Sequence, residues 1–189
     1  MKKWILCAMV CLSGGSLWAQ AYQWGVGVRG GDPSGLSVKY YVSRDYAFEF
    51  NLGQTAVWGY DARTEFYRYD RFDDYDFREG RLERAISLQV HYLRHREIPI
   101  EGSEKLAWYV GFGGQLRSTA VDYRYRVDGD NRRERVQDVD LGADGVVGLE
   151  FTFSDIPLAL FADMILYAEV LDNPLLLRLQ GGGGVRYNF

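Results

Sequence analysis

Beyond its first twenty residues the chain has no cysteine: the only two, Cys7 and Cys11, fall near its start. Disulfides, thiolate metal sites and cysteine nucleophiles are thereby excluded together from the rest. No later stretch stays apolar long enough to cross a bilayer as a helix, which takes about 20 residues. Basic charge is in deficit. The chain carries 22 Lys+Arg against 26 Asp+Glu, a net of −4, and two of the lysines are Lys2 and Lys3. A nucleic-acid partner, which requires a basic face, is not expected. Histidine is nearly absent, with two residues in all, His91 and His95. What remains is far from disordered, since 47% of the residues are hydrophobic and 15% aromatic, too apolar for a solvated chain. The mean hydropathy of −0.25 would suit a soluble protein. Strands that alternate apolar and polar residues average out in such an index, so it does not exclude a membrane barrel. The 189 residues suit one domain.

The start of the chain has the order of an export signal. Lys2-Lys3 is a basic n-region, Trp4 to Leu12 is apolar, and Ser13-Gly14-Gly15-Ser16 breaks the run. Ala19-Gln20-Ala21 is an A-x-A cleavage site. Residues 1–21 are expected to be removed, leaving a domain over 22–189, with cleavage after Ala19 as the alternative. The apolar run is too short for a membrane anchor. Cys11 follows Val10, where a lipoprotein signal needs a small residue, so lipidation is not expected.

From Tyr22 onward the main signal is period-two alternation. Tyr22, Trp24, Val26 and Val28 oppose Gln23, Gly25, Gly27 and Arg29. Leu36 to Val42 and Tyr46 to Leu52 repeat the pattern across a tight Ser43-Arg44-Asp45 turn. Ile86 to Tyr92 and Leu106 to Phe112 follow, joined by a connection over 95–105. Three more strands are read at 139–153, 158–169 and 177–189, the first two joined at 154–157 and the last two by a short loop at 171–175. Residues 59–81 and 118–137 are read as long polar loops, the second with a hairpin tip at Asp128-Gly129. Eight consecutive antiparallel strands predict an all-β, up-and-down barrel, whose closure removes exposed strand edges.

Alternation alone does not say which face points inward. A soluble lipocalin-like barrel would turn the apolar face in and bind an apolar ligand there; a transmembrane barrel would turn it out to lipid. Two features favour the second. The polar face carries Arg29, Lys39, Glu49, Arg117, Asp140, Asp144, Glu150, Asp163, Glu169, Arg178 and Arg186, both signs of charge, which can pair inside a narrow barrel that side chains fill. The apolar face gathers Tyr22, Trp24, Tyr40, Tyr46, Phe48, Tyr92, Trp108, Phe151 and Phe153, with Tyr187 and Phe189, toward one rim. That is the placement of an aromatic girdle at lipid headgroups. With the first strand starting on the periplasmic side, the long loops 59–81 and 118–137 lie outside, as in outer-membrane barrels.

The last five residues, Val185-Arg186-Tyr187-Asn188-Phe189, end in Phe with apolar or aromatic residues at Tyr187 and Val185. This looks like the C-terminal assembly signal of outer-membrane barrels, and along its length the chain from 22 onward resembles the OmpA/OmpX-like small barrel superfamily. The resemblance implies integral outer-membrane localisation and recognition of Val185, Tyr187 and Phe189 by the barrel-insertion machinery. It also implies a monomer in contact with outer-membrane lipid, and a structural or surface-interaction role. An extracellular protein or glycan is the expected partner of loops 59–81 and 118–137, whose Tyr, Phe, Arg and Asp suit such contacts.

Chemistry is hard to find in the sequence. His91 and His95 could share a helix face, but the stretch reads as strand, so His91 is expected to be a lumen hydrogen-bonder and His95 a surface residue near a turn. Ser87 and His91 share the lumen parity, the wrong direction for a lipid-facing His–Ser hydrolase pair. Asp144 with Asp163 or Glu150 could do acid–base work; as partners of Arg29, Arg178 or Arg186 they are structural. Gly181 to Gly184 precedes no helix, so it is no phosphate loop. No catalytic residue, metal or cofactor is expected, and a membrane-embedded lipid-modifying enzyme is kept as the alternative.

Overall fold

The computed structural model describes residues 22–55, 75–127, 129–170 and 177–189, with 63, 66 and 67, and only the backbone of 82–84. The leader, both cleavage positions and the connection read at 171–175 lie outside these residues. Eight strands follow in chain order: β1 (Trp24–Gly31), β2 (Ser34–Tyr41), β3 (Tyr46–Gln54), β4 (Asp76–Ile98), β5 (Lys105–Val127), β6 (Asp130–Thr152), β7 (Leu158–Glu169) and β8 (Leu177–Asn188). Each pairs antiparallel with its neighbour, and β1 pairs with β8, so the sheet closes into a barrel. Within the closed barrel no strand edge is left to template aggregation.

The pairing row that begins at Val26 runs through Val38, Phe50, Val90, Gly114, Ala143 and Ala168 to Leu177. Yet the β8 partner of Val26 is Tyr187, at the other end of that strand. This displacement is the stagger that closing a barrel of tilted strands requires. One rim holds the start of β1, the end of β8 and the turns after β2, β4 and β6; the opposite rim is here called the far rim.

The alternation is realised as two chemically opposite faces. Val28, Leu36, Leu52, Phe112, Val147, Met164 and Leu179 are among the many exposed apolar residues, Phe112 reaching 69%. Inside, Arg29, Ser37, Lys39, Glu49, Asn51, Gln89, His91, Gln115 and Arg186 are buried. The soluble-barrel alternative required the reverse, and the observed faces correct it.

Three boundaries also differ from the sequence reading. First, 118–137 is not a loop: β5 and β6 run through it as continuous strands of 23 residues, with the tip where it was expected, at Gly129, whose φ of +90° suits glycine. The period of two persists there, but arginine replaces the outward aliphatics, so the stretch looks merely polar. Second, β4 begins at Asp76, so the end of the expected loop 59–81 is strand; residues 59–62, 64–65 and 68–74 lie outside the described set. Third, the connection read at 95–105 shrinks to 99–104, because the stagger carries β4 on to Ile98. β4, β5 and β6 therefore extend together beyond the far rim as a three-stranded sheet.

The closing seam is tight. A Cβ on Gly27 would run into the Val185 carbonyl and lie 2.7 Å from the Arg186 Cα. At Gly30 the nearest atom would be 3.9 Å away. Gly27→Val is expected to lower stability by about 1–3 kcal/mol as an overpacked site, and Gly30→Ala to leave it nearly unchanged. Urea unfolding followed by tryptophan fluorescence reads both; an unchanged midpoint for Gly27→Val would count against the seam geometry.

Candidate functional site

The barrel interior is a stack of polar contacts contributed by inward positions of every strand. Nearest the rim with the chain ends, Lys39 of β2 and Arg186 of β8 meet Glu49 of β3 and Glu150 of β6. Lys39 Nζ donates to Glu150 at 2.7 Å and lies 4.0 Å from Glu49. Arg186 donates to Glu49 at 2.6 Å and to Glu150 at 3.1 Å. Two cations thus face two anions, which offsets the cost of removing all four from water. The other oxygen of each carboxylate also accepts a bond, and Arg186 has a further acceptor. Tyr41 donates to Glu150 at 2.9 Å, Asn51 to Glu49 at 2.9 Å, and Arg186 to Ser37 at 2.9 and 3.1 Å. The Arg186 guanidinium carbon lies 3.5 Å from the Phe161 ring centroid, and Lys39 Nζ lies 4.4 Å from that of Tyr109, both cation–π contacts.

Farther along, Arg29 of β1 grips Asp163 of β7 with two bonds of 2.5 and 2.7 Å, and Tyr109 adds a third at 3.2 Å. The two-pronged geometry is the strong form of an arginine–carboxylate pair. Gly182 makes room for it: a Cβ there would lie 2.5 Å from the Arg29 guanidinium. Beyond these, Gln115 donates to Ser87 at 2.8 Å and Gln89 to Gln180 at 3.1 Å. Toward the far rim, Arg117 bonds its cross-strand neighbour Asp140 at 3.0 Å. Glu169 is buried, and Arg178 is half-buried on the inward face of β8.

One of the two histidines escaped the sequence reading. His91 is the lumen hydrogen-bonder expected, with Nε2 3.0 Å from Asp144 and Nδ1 3.9 Å from Glu49. His95 is not a surface residue. It is 6% exposed, inside the barrel between Tyr41 and Tyr109, with ring centroids 6.2 and 5.3 Å away. Its expected position near a turn fails because β4 continues past it. Ser87 and His91 both point inward, and Asp144 meets His91, Asp163 meets Arg29 and Glu150 meets Lys39 and Arg186 rather than one another. The described residues include no group of three or more His, Cys, Asp or Glu side chains suited to a metal.

Above the far rim the inward face changes character. Val121, Tyr123, Tyr125 and Val136 form an apolar cluster on the extended sheet, and Phe66 packs onto it from the segment between β3 and β4. Phe66 lies 5.2 Å from Tyr123, 5.5 Å from Tyr125 and 5.3 Å from Phe77, while Tyr75 stacks on Tyr125. The Tyr125 hydroxyl donates to Glu134 at 2.9 Å. Burial, and then that carboxylate, raise its pKa above the usual tyrosine value. The outward face of the same sheet carries Arg124, bonded to Glu79 at 3.1 Å, and Arg133, bonded to Asp122.

Aromatic side chains line the outer face near the rim with the chain ends. Trp24 and Tyr40 are 4.6 Å apart, Phe48 and Tyr92 5.1 Å, Tyr46 and Tyr92 5.7 Å, and Phe151 and Phe153 5.0 Å. Tyr22 and Trp108 are exposed there as well. Val185, Tyr187 and Phe189 close the seam: the Phe189 carbonyl accepts from Gln23 at 3.1 Å and Trp24 at 3.0 Å, and Val185 pairs with Val28.

Two solved structures are similar in fold. The N-terminal β-barrel domain of Pseudomonas aeruginosa OprF is 14% identical, with 88% of this chain and 95% of that one covered and a TM-score of 0.49. Ail, the attachment invasion locus protein of Yersinia pestis, is 14% identical over 88% of this chain and 93% of its own, with a TM-score of 0.34. No family model and no curated protein matches the chain.

The Arg29–Asp163 pair gives a direct test of the interior. Removing one partner of a buried pair leaves a bare charge, so Asp163→Ala alone should cost about 3–5 kcal/mol. Arg29→Met with Asp163→Leu, which removes both charges, should recover most of that loss. A double-mutant cycle in urea checks it; additive losses would show that the two side chains do not act as a pair.

Proposed function

We propose that the chain is an integral outer-membrane β-barrel that spans the bilayer as a monomer, without catalytic activity, and acts through the sheet it raises above the surface. The observation that carries this reading is the inverted distribution of polarity. Soluble monomers rarely expose an apolar patch beyond a few hundred Å². Here exposed apolar side chains encircle the barrel, from Val26 and Val28 on β1 through Phe50, Val90, Phe112, Leu141 and Met164 to Leu179 on β8. Charges fill the inside instead. β7 and β8, with 12 residues each, exceed the roughly 9–11 residues that a tilted strand needs to cross. The aromatic rim falls where rings meet headgroups.

The filled interior speaks against a wide channel, and the pairing of Asp144, Asp163 and Glu150 speaks against acid–base catalysis. An interaction role belongs to the extension of β4–β6, whose outward arginines Arg124 and Arg133 suit a protein or glycan bearing acidic groups. The terminal segment Val185–Phe189 would be read by the barrel-insertion machinery during assembly.

Membrane fractionation of the producing cell tests the reading, with gel mobility in SDS compared before and after boiling. Recovery in the outer membrane with a heat-dependent shift is expected; a soluble protein without a shift overturns it. Trypsin added to intact cells is expected to cut within 119–138 and leave a protected barrel. Protection of that hairpin in intact cells, with cleavage only after the envelope is broken, would reverse the orientation.

A further inference from the structure

Between the Arg29–Asp163 pair and the Arg117–Asp140 pair, four inward side chains each have a polar atom without a hydrogen-bond partner among the described residues. The atoms are Gln115 Oε1 on β5, Asp144 Oδ1 on β6, Tyr167 Oη on β7 and Gln180 Nε2 on β8, on residues no more than 5% exposed. The register brings them to one level. Gln115 is paired with Gly142, Asp144 with Tyr167, and Gln180 with Ile165. Neighbouring strands lie about 4.8 Å apart and tilt by about 40° in a barrel. Each step from β5 toward β8 therefore climbs roughly 3 Å toward the far rim, in the sense of the row from Val26 to Leu177. Each move along a strand, from Gly142 to Asp144 or from Tyr167 to Ile165, descends roughly 5 Å. Climbs and descents cancel, and the four residues fall within about 3 Å of one height. Tyr167 leans back over Gly142, where a Cβ would lie 2.5 Å from its ζ carbon, so its hydroxyl sits beside the Gln115 row.

Neighbouring groups fix the polarity of these atoms. The Glu49 carboxylate accepts from Asn51 Nδ2 at 2.9 Å, which sets the orientation of the Asn51 amide. The same nitrogen donates to Gln89 Oε1 at 3.4 Å, and Gln89 Nε2 donates to Gln180 Oε1 at 3.1 Å. Gln180 is thereby left with an N–H to give. Asp144 meets His91 through Oδ2 and offers Oδ1. Gln115 donates to Ser87 and offers its carbonyl oxygen. The Tyr167 hydroxyl donates or accepts. An anion is repelled by Asp144, and a metal cation by the Gln180 N–H. What fits is a small neutral molecule that donates to Gln115 and Asp144 and accepts from Gln180 and Tyr167. We propose that this layer binds one structural water molecule, which makes those four bonds. Buried waters make about three such bonds to groups otherwise unpaired. Held on four sides, this one is part of the packing rather than a hydration shell. It also closes a ring around the lumen. The ring runs from Glu49 through Asn51, Gln89 and Gln180 to the water, then through Asp144 to His91, whose Nδ1 lies 3.9 Å from Glu49. The site depends on the closed register and not on the membrane around it.

The test is a high-resolution crystal structure of the full chain purified in detergent, with a second crystal soaked in rubidium chloride. One peak is expected within about 3.2 Å of Gln115 Oε1, Asp144 Oδ1, Gln180 Nε2 and Tyr167 Oη, without anomalous signal after the soak. Direct bonds among the four side chains, with no peak between them, overturn the site. Contacts shorter than hydrogen bonds, or a rubidium signal at the peak, mark a cation and overturn water as the ligand. In solution, the Gln180 side-chain amide of the wild type should show an NMR cross-relaxation peak to water. Gln115→Leu with Tyr167→Phe, which removes two of the four partners, should lose that peak. A wild type without it, or a double variant that keeps it in full, overturns the site independently of the crystals. Gel mobility before and after boiling is run on both proteins, so that a variant that has not closed its barrel is recognised and replaced by Tyr167→Phe alone, for which a weakened peak is expected.

Discussion

An eight-stranded barrel is too narrow to keep water around the charges it encloses, so every inward ion needs a partner within the wall. Arg186 shows how strictly this applies. From β8 it reaches Glu49 on β3 and Glu150 on β6, donates to Ser37 on β2, and rests on the Phe161 ring of β7. One side chain thus ties five strands across the lumen. Its stem fits because the inward face of β1 opposite Arg186 is Gly27, and the glycines of β8 leave similar space for Arg29. The small residues and the large charged ones are two parts of one packing solution.

The strands, their order and the residues sharing each face could be read from period-two alternation, because hydrophobicity and parity are local properties; which face turns inward was read from the mixed charges of one face and the aromatic rim of the other. The pairing partners could not. Asp163 is a charged inward residue in any reading, but that it meets Arg29 rather than Arg178 depends on stagger, which no single strand encodes. The same limit explains His95. Alternation from His91 gives it inward parity, but Pro99 and Gly102 nearby suggest a turn, and only the closed register shows that β4 must continue to Ile98. In 118–137 the error was different: Val121, Tyr123 and Tyr125 keep strand parity, but Asp122, Arg124 and Arg126 between them carry the charge expected of a loop.

The extended sheet separates two jobs that share one parity. Along β5 the inward side is polar at Gln115 and Arg117 and becomes aromatic at Tyr123 and Tyr125. Within the barrel that face meets other charges, and above it that face meets Phe66. A small apolar core replaces the ion pairs where strands β4–β6 no longer have a barrel opposite them. This lets the sheet stand beyond the far rim with its outward arginines facing solvent, and it lays an apolar cover on the inward side that continues the lumen.

The interior network also bears on how the barrel closes. Its ion pairs join residues far apart in the chain: Arg29 to Asp163 spans 134 positions, Lys39 to Glu150 spans 111, and Arg186 to Glu49 spans 137. None of these contacts can form within a single hairpin. A partly assembled sheet could bury its apolar face in lipid at once, yet it would hold Arg186 and Glu49 apart. Because a one-residue slip would turn every inward side chain outward, such an error would place these charges against lipid, where each is costly. Apolar burial therefore favours any inserted sheet, whereas the charges favour only the closed one in this register. The aliphatic exterior supplies most of the drive to insert, and the polar interior selects which barrel results.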